Sequence, residues 1–269
     1  MSSWGDGFRL SFGTLTVLPS GVPRRVDRVV GGRAMVLAPL VGVLVGAVAA
    51  AVVALAQLLR PEADLLAAVL GVLVVAGLSG GLHLDGLADF ADALGSRRDR
   101  ETMLRIMKQS DIGPFGVVAI VGVLLVDVAA LTACLQAGFG WQAVLIATVA
   151  SRLTLPWSCR TTIPAARPDG LGTVVATTVR PLTADFATAL VLAPAIGLTW
   201  LSHPALTQQH ATTWLRLCGV AAAVLTAVAT SFITSRQATK KLGGTTGDVL
   251  GATVELAFPV ALLTLALTV

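Results

Sequence analysis

The sequence has few charged residues and few cysteines, and it lacks an apolar segment at its start. Only 13% of its 269 residues are charged, whereas 55% are hydrophobic, which excludes an ordinary soluble globular protein. Cys134, Cys159 and Cys218 are far apart and odd in number, so they predict neither a disulfide framework nor a thiolate metal site. Residues 1–33 contain no continuous apolar run, so we expect no cleavable signal peptide.

What the sequence does have is long apolar runs, each of about 17 to 25 residues. A helix of that length crosses the roughly 30 Å of hydrocarbon in a bilayer. The runs predict about seven spans, at 34–56, 65–82, 112–136, 141–158, 185–202, 213–235 and 249–269. The predicted fold class is therefore all-α, a polytopic transmembrane helical bundle that forms a single domain over residues 1–269.

The distribution of positive charge predicts the orientation of the bundle. Of the 19 lysines and arginines, only Arg60, Arg152 and Arg216 lie outside the N-terminal segment and the loops after the second, fourth and sixth spans. Such loops are cytoplasmic by the positive-inside rule. We therefore expect a multi-pass protein of a bacterial inner membrane with a cytoplasmic N-terminus. Membrane topology also explains the net charge of +4 without a nucleic-acid partner.

The longest segment outside the spans, residues 83–111, opens with an acidic pattern. Asp85, Asp89 and Asp92 stand at positions i, i+4 and i+7, so a helix would place all three carboxylates on one face. Their repulsion calls for a compensating cation, and Mg²⁺ takes carboxylate oxygens, water and substrate phosphates as ligands. The pattern predicts an interfacial acidic helix that binds Mg²⁺ for phosphoryl transfer. A solvated acidic helix face beside a basic loop is the alternative.

Three other polar residues of this segment have two interpretations each. His83 is offset by two residues from Asp85 and points off the carboxylate face, so both an interfacial role and acid–base chemistry stay open. Lys108 and Ser110 can donate hydrogen bonds to phosphate oxygens. The stretch 108–116 is also typical of a simple helix start.

The fourth span brings basic residues to the same side of the membrane. Arg152 lies inside that span, where a charge is costly, and it needs a carboxylate or a bound phosphate as partner. Arg160 and Arg167 follow in the next loop. One arginine thus lies inside the fourth span and two lie just beyond it.

The seventh span begins with a glycine-rich turn at Gly243 and Gly244 and carries two acids. Asp248 and Glu255 are seven residues apart and hence on one helix face. A glycine-rich turn at a helix N-terminus suits an anion, whereas two carboxylates favour a metal ion or a hydroxyl group. A purely structural Asp248–Glu255 pair, bonded to other helices, is the alternative.

Taken together, these residues resemble the cobalamin synthase family, integral membrane enzymes that attach the lower nucleotide in the last steps of vitamin B12 assembly. The similar pieces run in order along nearly the whole chain: Leu15-Thr16 with Pro19, 81–89 with Asp92, 103–108, Ile112-Gly113 with Phe115-Gly116, Ser151-Arg152, and Gly243-Gly244 with Gly247-Asp248 and Glu255. The stretch from His83 to Asp92 is the most specific piece. The chain departs from the family pattern at Ala93 and at 109–111.

The resemblance implies a Mg²⁺-dependent transferase of a substituted phosphate group with its active site on the cytoplasmic side. Its implied substrates are adenosylcobinamide-GDP and α-ribazole or α-ribazole 5′-phosphate. The implied products are adenosylcobalamin or its 5′-phosphate, and GMP. A homo-oligomer is left open.

Roles for individual residues follow from this implied reaction. The expected metal ligands are Asp85, Asp89 and Asp92. The residues expected to bind substrate are Lys108, Ser110, Arg152, Arg160, Gly243, Gly244 and Asp248. His83 and Glu255 join the aspartates as candidate catalytic residues, and Asp92 or Glu255 is expected to accept the proton of the attacking hydroxyl.

Two rival functions remain at this point. The spaced aspartates are loosely similar to those of CDP-alcohol phosphotransferases, lipid-synthesising enzymes, but Ala88 and Asp89 do not follow the Ala-Arg continuation of that family. A metal- or proton-coupled transporter would place its ionisable groups near the bilayer midplane at a repeat interface. We find no repeat, and only Asp127 sits in the middle of a span away from the acidic groups described above.

Overall fold

The computed structural model describes residues 3–202 and 210–269, and all regular structure in these two ranges is helical. The helices are α1 (Ser3–Leu15), α2 (Arg28–Leu59), α3 (Asp64–Leu78), α4 (Leu82–Gly95), α5 (Arg100–Ile106), α6 (Pro114–Gln136), α7 (Gly140–Ser158), α8 (Leu171–Val175), α9 (Pro181–Leu201), α10 (His210–Leu242) and α11 (Gly247–Ala266). The predicted all-α class is confirmed.

Five helices in the described ranges are long and apolar enough to cross a membrane by themselves: α2, α6, α9, α10 and α11. The pair α3 and α4 passes the same test only when taken together, across a bend of 86°. A polytopic helical membrane protein is confirmed by these helices. The seventh span and the cytoplasmic N-terminus stay predictions.

Helix α7 covers the predicted fourth span but is not among the five, because it carries polar residues in its interior positions. It packs against α2, α9, α10 and α11, and most of its side chains are buried, among them Gln142 and Arg152. A polar side chain is tolerated at this depth only when protein surrounds it. The polar residues of α7 therefore face the interior of the bundle.

The contact between α2 and α7 depends on two small residues. A Cβ atom added to Gly42 would lie 2.8 Å from the Cα atom of Val149, and one added to Gly46 would lie 3.0 Å from the side chain of Leu145. The GxxxG spacing in the first span therefore marks a close helix–helix approach within the chain.

The N-terminal segment forms a helix that the apolar runs did not predict. Helix α1 packs along α2, and its buried Asp6 accepts a hydrogen bond from the backbone N–H of Arg24 at 3.1 Å. Asp27 then caps α2 by accepting from the N–H of Val30 at 2.8 Å. Helix α1 mixes apolar with polar residues, so its sequence contains no long hydrophobic run. The contacts with α2 hold it in place.

Two glycines produce the sharp bend between α3 and α4. Gly80 and Gly81 have φ angles of 62° and 69°, in the left-handed region that glycine adopts at little cost. The bend lays α4 across the end of the bundle, nearly perpendicular to α3. The acidic helical segment predicted after the second span is thus present, and it lies outside the five helices that span by themselves.

Candidate active site

The site is built where α4 crosses α11 without side chains in between. A Cβ atom added to Gly86 would lie 2.7 Å from the backbone oxygen of Asp248, and one added to Gly251 would lie 3.4 Å from the Cα atom of His83. Glycine at these two positions lets the helix backbones approach. The first half of α4, with Asp85 and Asp89, is thereby brought to the N-terminus of α11.

A cavity of about 290 Å³ opens beside this crossing. Its walls come from the end of α1, from α2, α4 and α7, from the segment before and within α8, and from the start of α11. The ionisable residues that line it are His83, Asp85, Arg167, Asp169 and Asp248. Hydroxyl groups and small residues complete the lining: Thr14, Thr245, Thr246, Gly86, Gly170, Gly172, Gly247 and Gly251.

Asp89 does not line the cavity, but it lies close to three other carboxylates. Burial, followed by the charges of Asp85, Asp248 and Asp92, raises the pKa of Asp89 to about 7, and the positive charge of Arg167 only partly opposes this. The carboxylate cluster is therefore short of positive charge. A cation bound among these oxygens would relieve the repulsion.

Asp92 has a different environment from the other two aspartates of α4. Its two carboxylate oxygens accept hydrogen bonds from the backbone N–H groups of Gly113, at 2.8 Å, and Gly116, at 2.9 Å. These groups belong to the first turn of α6, where N–H groups have no partner within the helix. Asp92 therefore caps α6 directly, although it belongs to another helix. Its negative charge suits the positive end of the helix dipole.

The donor set fits a hard divalent cation by its chemistry. Among the described residues, no three His, Cys, Asp or Glu side chains converge as a ready-made metal cage. Mg²⁺ does not need one, because it commonly binds one or two carboxylates and completes its shell with water and phosphate oxygens. Asp85, Asp89 and Asp248 carry oxygen atoms of the kind that such an ion takes as ligands, and their charges repel one another, whereas both oxygens of Asp92 are already hydrogen-bonded.

Basic residues stand at the rim of the same cavity. An Nη atom of Arg167 lies 3.7 Å from the Asp248 carboxylate, and its other Nη donates to the backbone oxygen of Leu104 at 2.8 Å. Lys108 binds Asp169 at 3.0 Å, and this contact lowers the pKa of the Asp169 carboxyl group. The cavity thus joins acids that suit a metal ion with cations that suit phosphate oxygens.

The N-terminus of α11 forms one wall. Thr246 caps the helix by accepting from the N–H of Val249 at 3.2 Å, and its hydroxyl donates to Asp248 at 3.3 Å. The preceding residue, Thr245, exchanges backbone hydrogen bonds with Pro164 and Ala166. These bonds fix the start of α11 against the loop that carries Arg167.

Comparison with known proteins identifies the family of the chain. The model of the cobalamin-5-phosphate synthase family matches residues 7–266. The chain belongs to this family. No solved structure matches the chain.

Individual relatives of the cobalamin-5-phosphate synthase family match nearly from end to end. A Frankia casuarinae protein named adenosylcobinamide-GDP ribazoletransferase is 38% identical over 97% of this chain and 94% of its own length. A Nocardioides protein of the same name is 36% identical over 96% of this chain and 97% of its own. A Pseudomonas paraeruginosa protein, also of that name, is 41% identical over 88% and 87%.

Of the residues that the sequence placed in the site, the structure brings one group to the cavity. His83, Asp85 and Asp248 line it, Asp89 lies close behind, and Lys108 reaches its rim through Asp169. Both ring nitrogens of His83 are buried without a hydrogen-bond partner in the described part of the chain. His83 thus offers an imidazole to whatever fills the cavity.

Two of the predicted arginines lie elsewhere. Arg152 is fully buried and donates to the hydroxyls of Ser151 and Ser79, each at 2.9 Å. Arg160 lies outside the cavity lining, with its guanidinium 3.9 Å from the ring centroid of Phe232. Each of these guanidinium groups makes its contacts within the protein.

The remaining predicted residues also lie outside the cavity lining. Glu255 is close enough to Arg152 for the two charges to interact, and so is the buried Asp127 with Glu255. Ser110 is exposed in the loop before α6. Gly243 and Gly244 form a turn that packs on Arg100 and on the backbone of Pro164. The structure gives that turn an architectural role.

Arg167 and Asp169 line the cavity, but no role was assigned to them from the sequence. They flank Pro168 in an Arg-Pro-Asp-Gly run, and Pro-Asp-Gly is a typical turn sequence. A charged residue on each side of a tight turn, in a loop on the same membrane side as the acidic helix, was the available signal. The contact that makes them functional candidates, Arg167 with Asp248, joins positions far apart in the sequence.

Proposed function

We propose that this chain is an adenosylcobinamide-GDP ribazoletransferase. In the reaction a hydroxyl oxygen of α-ribazole, or of its 5′-phosphate, attacks the phosphorus atom attached to cobinamide. The bond from that phosphorus to the bridging oxygen of the pyrophosphate breaks, GMP leaves with the oxygen, and the proton of the attacking hydroxyl is released. Adenosylcobalamin or its 5′-phosphate is the other product. The observation that carries the proposal is similarity over almost the full length to relatives of that name, together with a cavity that combines carboxylates and cations.

The reaction needs its phosphate charges neutralised, and we assign this task to two sets of residues. Asp85, Asp89 and Asp248 would hold Mg²⁺, which when bound supplies positive charge to the pyrophosphate oxygens. Arg167 lines the cavity and Lys108 contacts Asp169 at its rim, and both would donate hydrogen bonds to phosphate oxygens of the substrate.

The attacking hydroxyl also needs an orienting group. His83 is buried at the cavity wall and its ring nitrogens have no partner among the described residues. We propose that a ring nitrogen of His83 accepts a hydrogen bond from the hydroxyl of the ribazole substrate. The enclosed position would exclude bulk water, which otherwise competes with ribazole for the phosphorus atom.

A direct assay tests the proposal. Purified protein in liposomes receives adenosylcobinamide-GDP and α-ribazole, with Mg²⁺ or with a chelator, and GMP and the complete corrinoid are measured. We expect both products in equal amounts with Mg²⁺ and neither with the chelator. Absence of product with Mg²⁺ would overturn the assignment, and product formation in the chelator would overturn only the metal requirement.

The same liposomes separate the proposal from its nearest rival. A CDP-alcohol phosphotransferase would release CMP from a CDP-activated lipid. We expect no CMP release from CDP-diacylglycerol with either ribazole substrate or glycerol phosphate as acceptor. Supplying α-ribazole and its 5′-phosphate in parallel shows which acceptor the enzyme prefers.

A further inference from the structure

A second concave surface lies between α1, the start of α2 and the start of α9. It is an open groove of about 630 Å³. Its polar side chains are Arg28, Arg33, Arg180, Thr177, Thr178 and Thr183, and no acidic residue lines it. The groove and the cavity of the candidate active site are neighbours, because α8 contributes to the cavity and the residues directly after α8 line the groove.

The three arginines of the groove differ in the contacts that their guanidinium groups make within the protein. Arg28 donates to the backbone oxygens of Thr173, at 2.6 Å, and Ala176, at 2.7 Å, and so holds the segment after α8. Arg33 lies over the Trp4 ring, 4.8 Å from its centroid. Within residues 3–202 and 210–269, neither Arg33 nor Arg180 forms an ion pair. Their charge is available to an external anion.

An apolar surface continues from the groove along the outside of the bundle. On α9, Leu182, Phe186 and Leu190 follow one another at intervals of four residues and are 80%, 68% and 61% exposed. This spacing places them in one stripe that begins beside Arg180. Trp4, at the other edge of the groove, is 48% exposed, and tryptophan favours the membrane interface.

We propose that this groove binds the head group of an anionic phospholipid. The phosphate group would lie between Arg33 and Arg180, within reach of the threonine hydroxyls, and an acyl chain would lie along the α9 stripe. Basic pockets between membrane helices bind anionic head groups in this manner. A free phosphate ion shares the head-group chemistry, but the stripe of exposed apolar side chains favours a lipid.

Occupancy of the groove has a consequence for the neighbouring cavity. A Cβ atom added to Gly32 would lie 2.9 Å from the Cβ of Thr178, so the segment after α8 packs tightly on α2. Helix α8, directly before that segment, carries Leu171 and Gly172 in the cavity wall. A bound lipid that contacts Thr178 and Arg180 would hold this segment in place, so we expect turnover to be higher in anionic than in zwitterionic membranes.

Lipid retention tests the proposal without any enzyme assay. Protein from nanodiscs of phosphatidylglycerol and phosphatidylcholine in equal amounts is released into the gas phase, and bound lipids are counted by native mass spectrometry. We expect selective retention of phosphatidylglycerol by the wild type and by Arg98→Gln, an exposed arginine outside the groove. The double variant Arg33→Gln/Arg180→Gln should retain at least fivefold less. Equal retention by the double variant would overturn the proposal.

Two further measurements, a competition with phosphate and a crosslinking experiment, complete the test. Millimolar inorganic phosphate should leave the retained lipid in place, and full displacement by phosphate would replace the lipid with a free-phosphate site. A photoreactive phosphatidylglycerol should crosslink to α1, α2 or α9 of the wild type. This measurement does not depend on whether a variant folds. Crosslinks confined to other helices would also overturn the proposal. Because neither readout needs turnover, failure of the lipid site and failure of the proposed reaction are separable.

Discussion

The two halves of α4 carry the same residue type in different surroundings. In the first half, Asp85 lines the cavity and Asp89 stands next to it, both close to the charge of Asp248. In the second half, Asp92 is buried with each oxygen bonded to a backbone N–H of α6. In the first half a carboxylate faces the cavity and a second lies close to it. In the second half the carboxylate joins two helices.

The difference teaches that a regular acidic pattern is not a single functional unit. A carboxylate whose oxygens already accept two backbone hydrogen bonds gains little from a metal ion, because it would have to give up those bonds. A carboxylate crowded by like charges gains much from the same ion. We therefore expect substitutions in the two halves to affect different measured quantities.

The largest effect is expected for Asp85→Asn. The amide keeps the size of the side chain but removes its negative charge, so metal and pyrophosphate binding in the transition state should weaken. We expect GMP release to fall by roughly 10²-fold or more, with an unchanged melting temperature. Asp64→Asn, at the start of α3 and the far end of that helix from the bend, is the matched control and should keep full turnover. Full turnover of Asp85→Asn would contradict its role in the site.

Gly86→Ala tests whether the crossing itself positions the first half of α4. The added methyl group would meet the backbone oxygen of Asp248 at 2.7 Å, so the two helices must move apart. We expect turnover to fall by about tenfold, on the scale that small displacements of catalytic groups produce, with a lower melting temperature. Gly122→Ala in α6, where a Cβ would meet nothing within 4 Å, should change neither quantity appreciably. Equal behaviour of the two variants would show that the close contact is unimportant.

Asp92→Asn addresses the second half of α4. The side-chain amide nitrogen cannot accept a hydrogen bond, so one backbone N–H of α6 loses its partner. We expect the free energy of unfolding to fall by about 1–3 kcal/mol, read as a lower melting temperature in detergent, with a smaller loss of turnover per folded molecule than for Asp85→Asn. Lost turnover at an unchanged melting temperature would restore Asp92 to the metal ligands.

The smallest effect is expected for Lys108→Gln at the rim. Lys108 and Asp169 are more than half exposed, and exposed ion pairs contribute little to stability. We expect no measurable change in melting temperature and a KM for adenosylcobinamide-GDP that rises by only a few-fold. Because exposed charges are screened by salt, the difference from wild type should shrink at high ionic strength. A large loss of kcat would instead indicate that Lys108 contacts the reacting phosphate.

The sequence predicted the helices well where their burial in lipid or protein leaves a continuous apolar run. Each of the seven predicted spans has a helix over it. Helix α1 was not predicted, because it is short and mixes apolar with polar residues. The second span was predicted to end at residue 82, whereas α3 ends at Leu78, because left-handed glycines break the helix with little effect on hydrophobicity.

The site was predictable only as far as local spacing reaches. Helical periodicity correctly puts Asp85 and Asp89 one turn apart, but Asp92 is about 10 Å from Asp85 along the helix axis. That distance lets Asp92 reach α6 instead of sharing one small ion. The partners that matter, Asp248 and Arg167, come together through the glycine contact between α4 and α11 and through long-range backbone bonds. No spacing in the sequence encodes those contacts.

Because Gly113 donates a hydrogen bond to Asp92, the covalent chain between these residues is not the only link from α4 to α6. The hydrogen bond closes the segment 93–112 into a ring, and α5 inside that ring is separately fastened through Arg100 to the backbone oxygens of Leu242 and Ala166. Trypsin should therefore cut at the exposed Arg97 or Arg98 without releasing either fragment. The nicked protein would stay assembled, so the chain is a candidate for expression as two complementing halves divided at this loop.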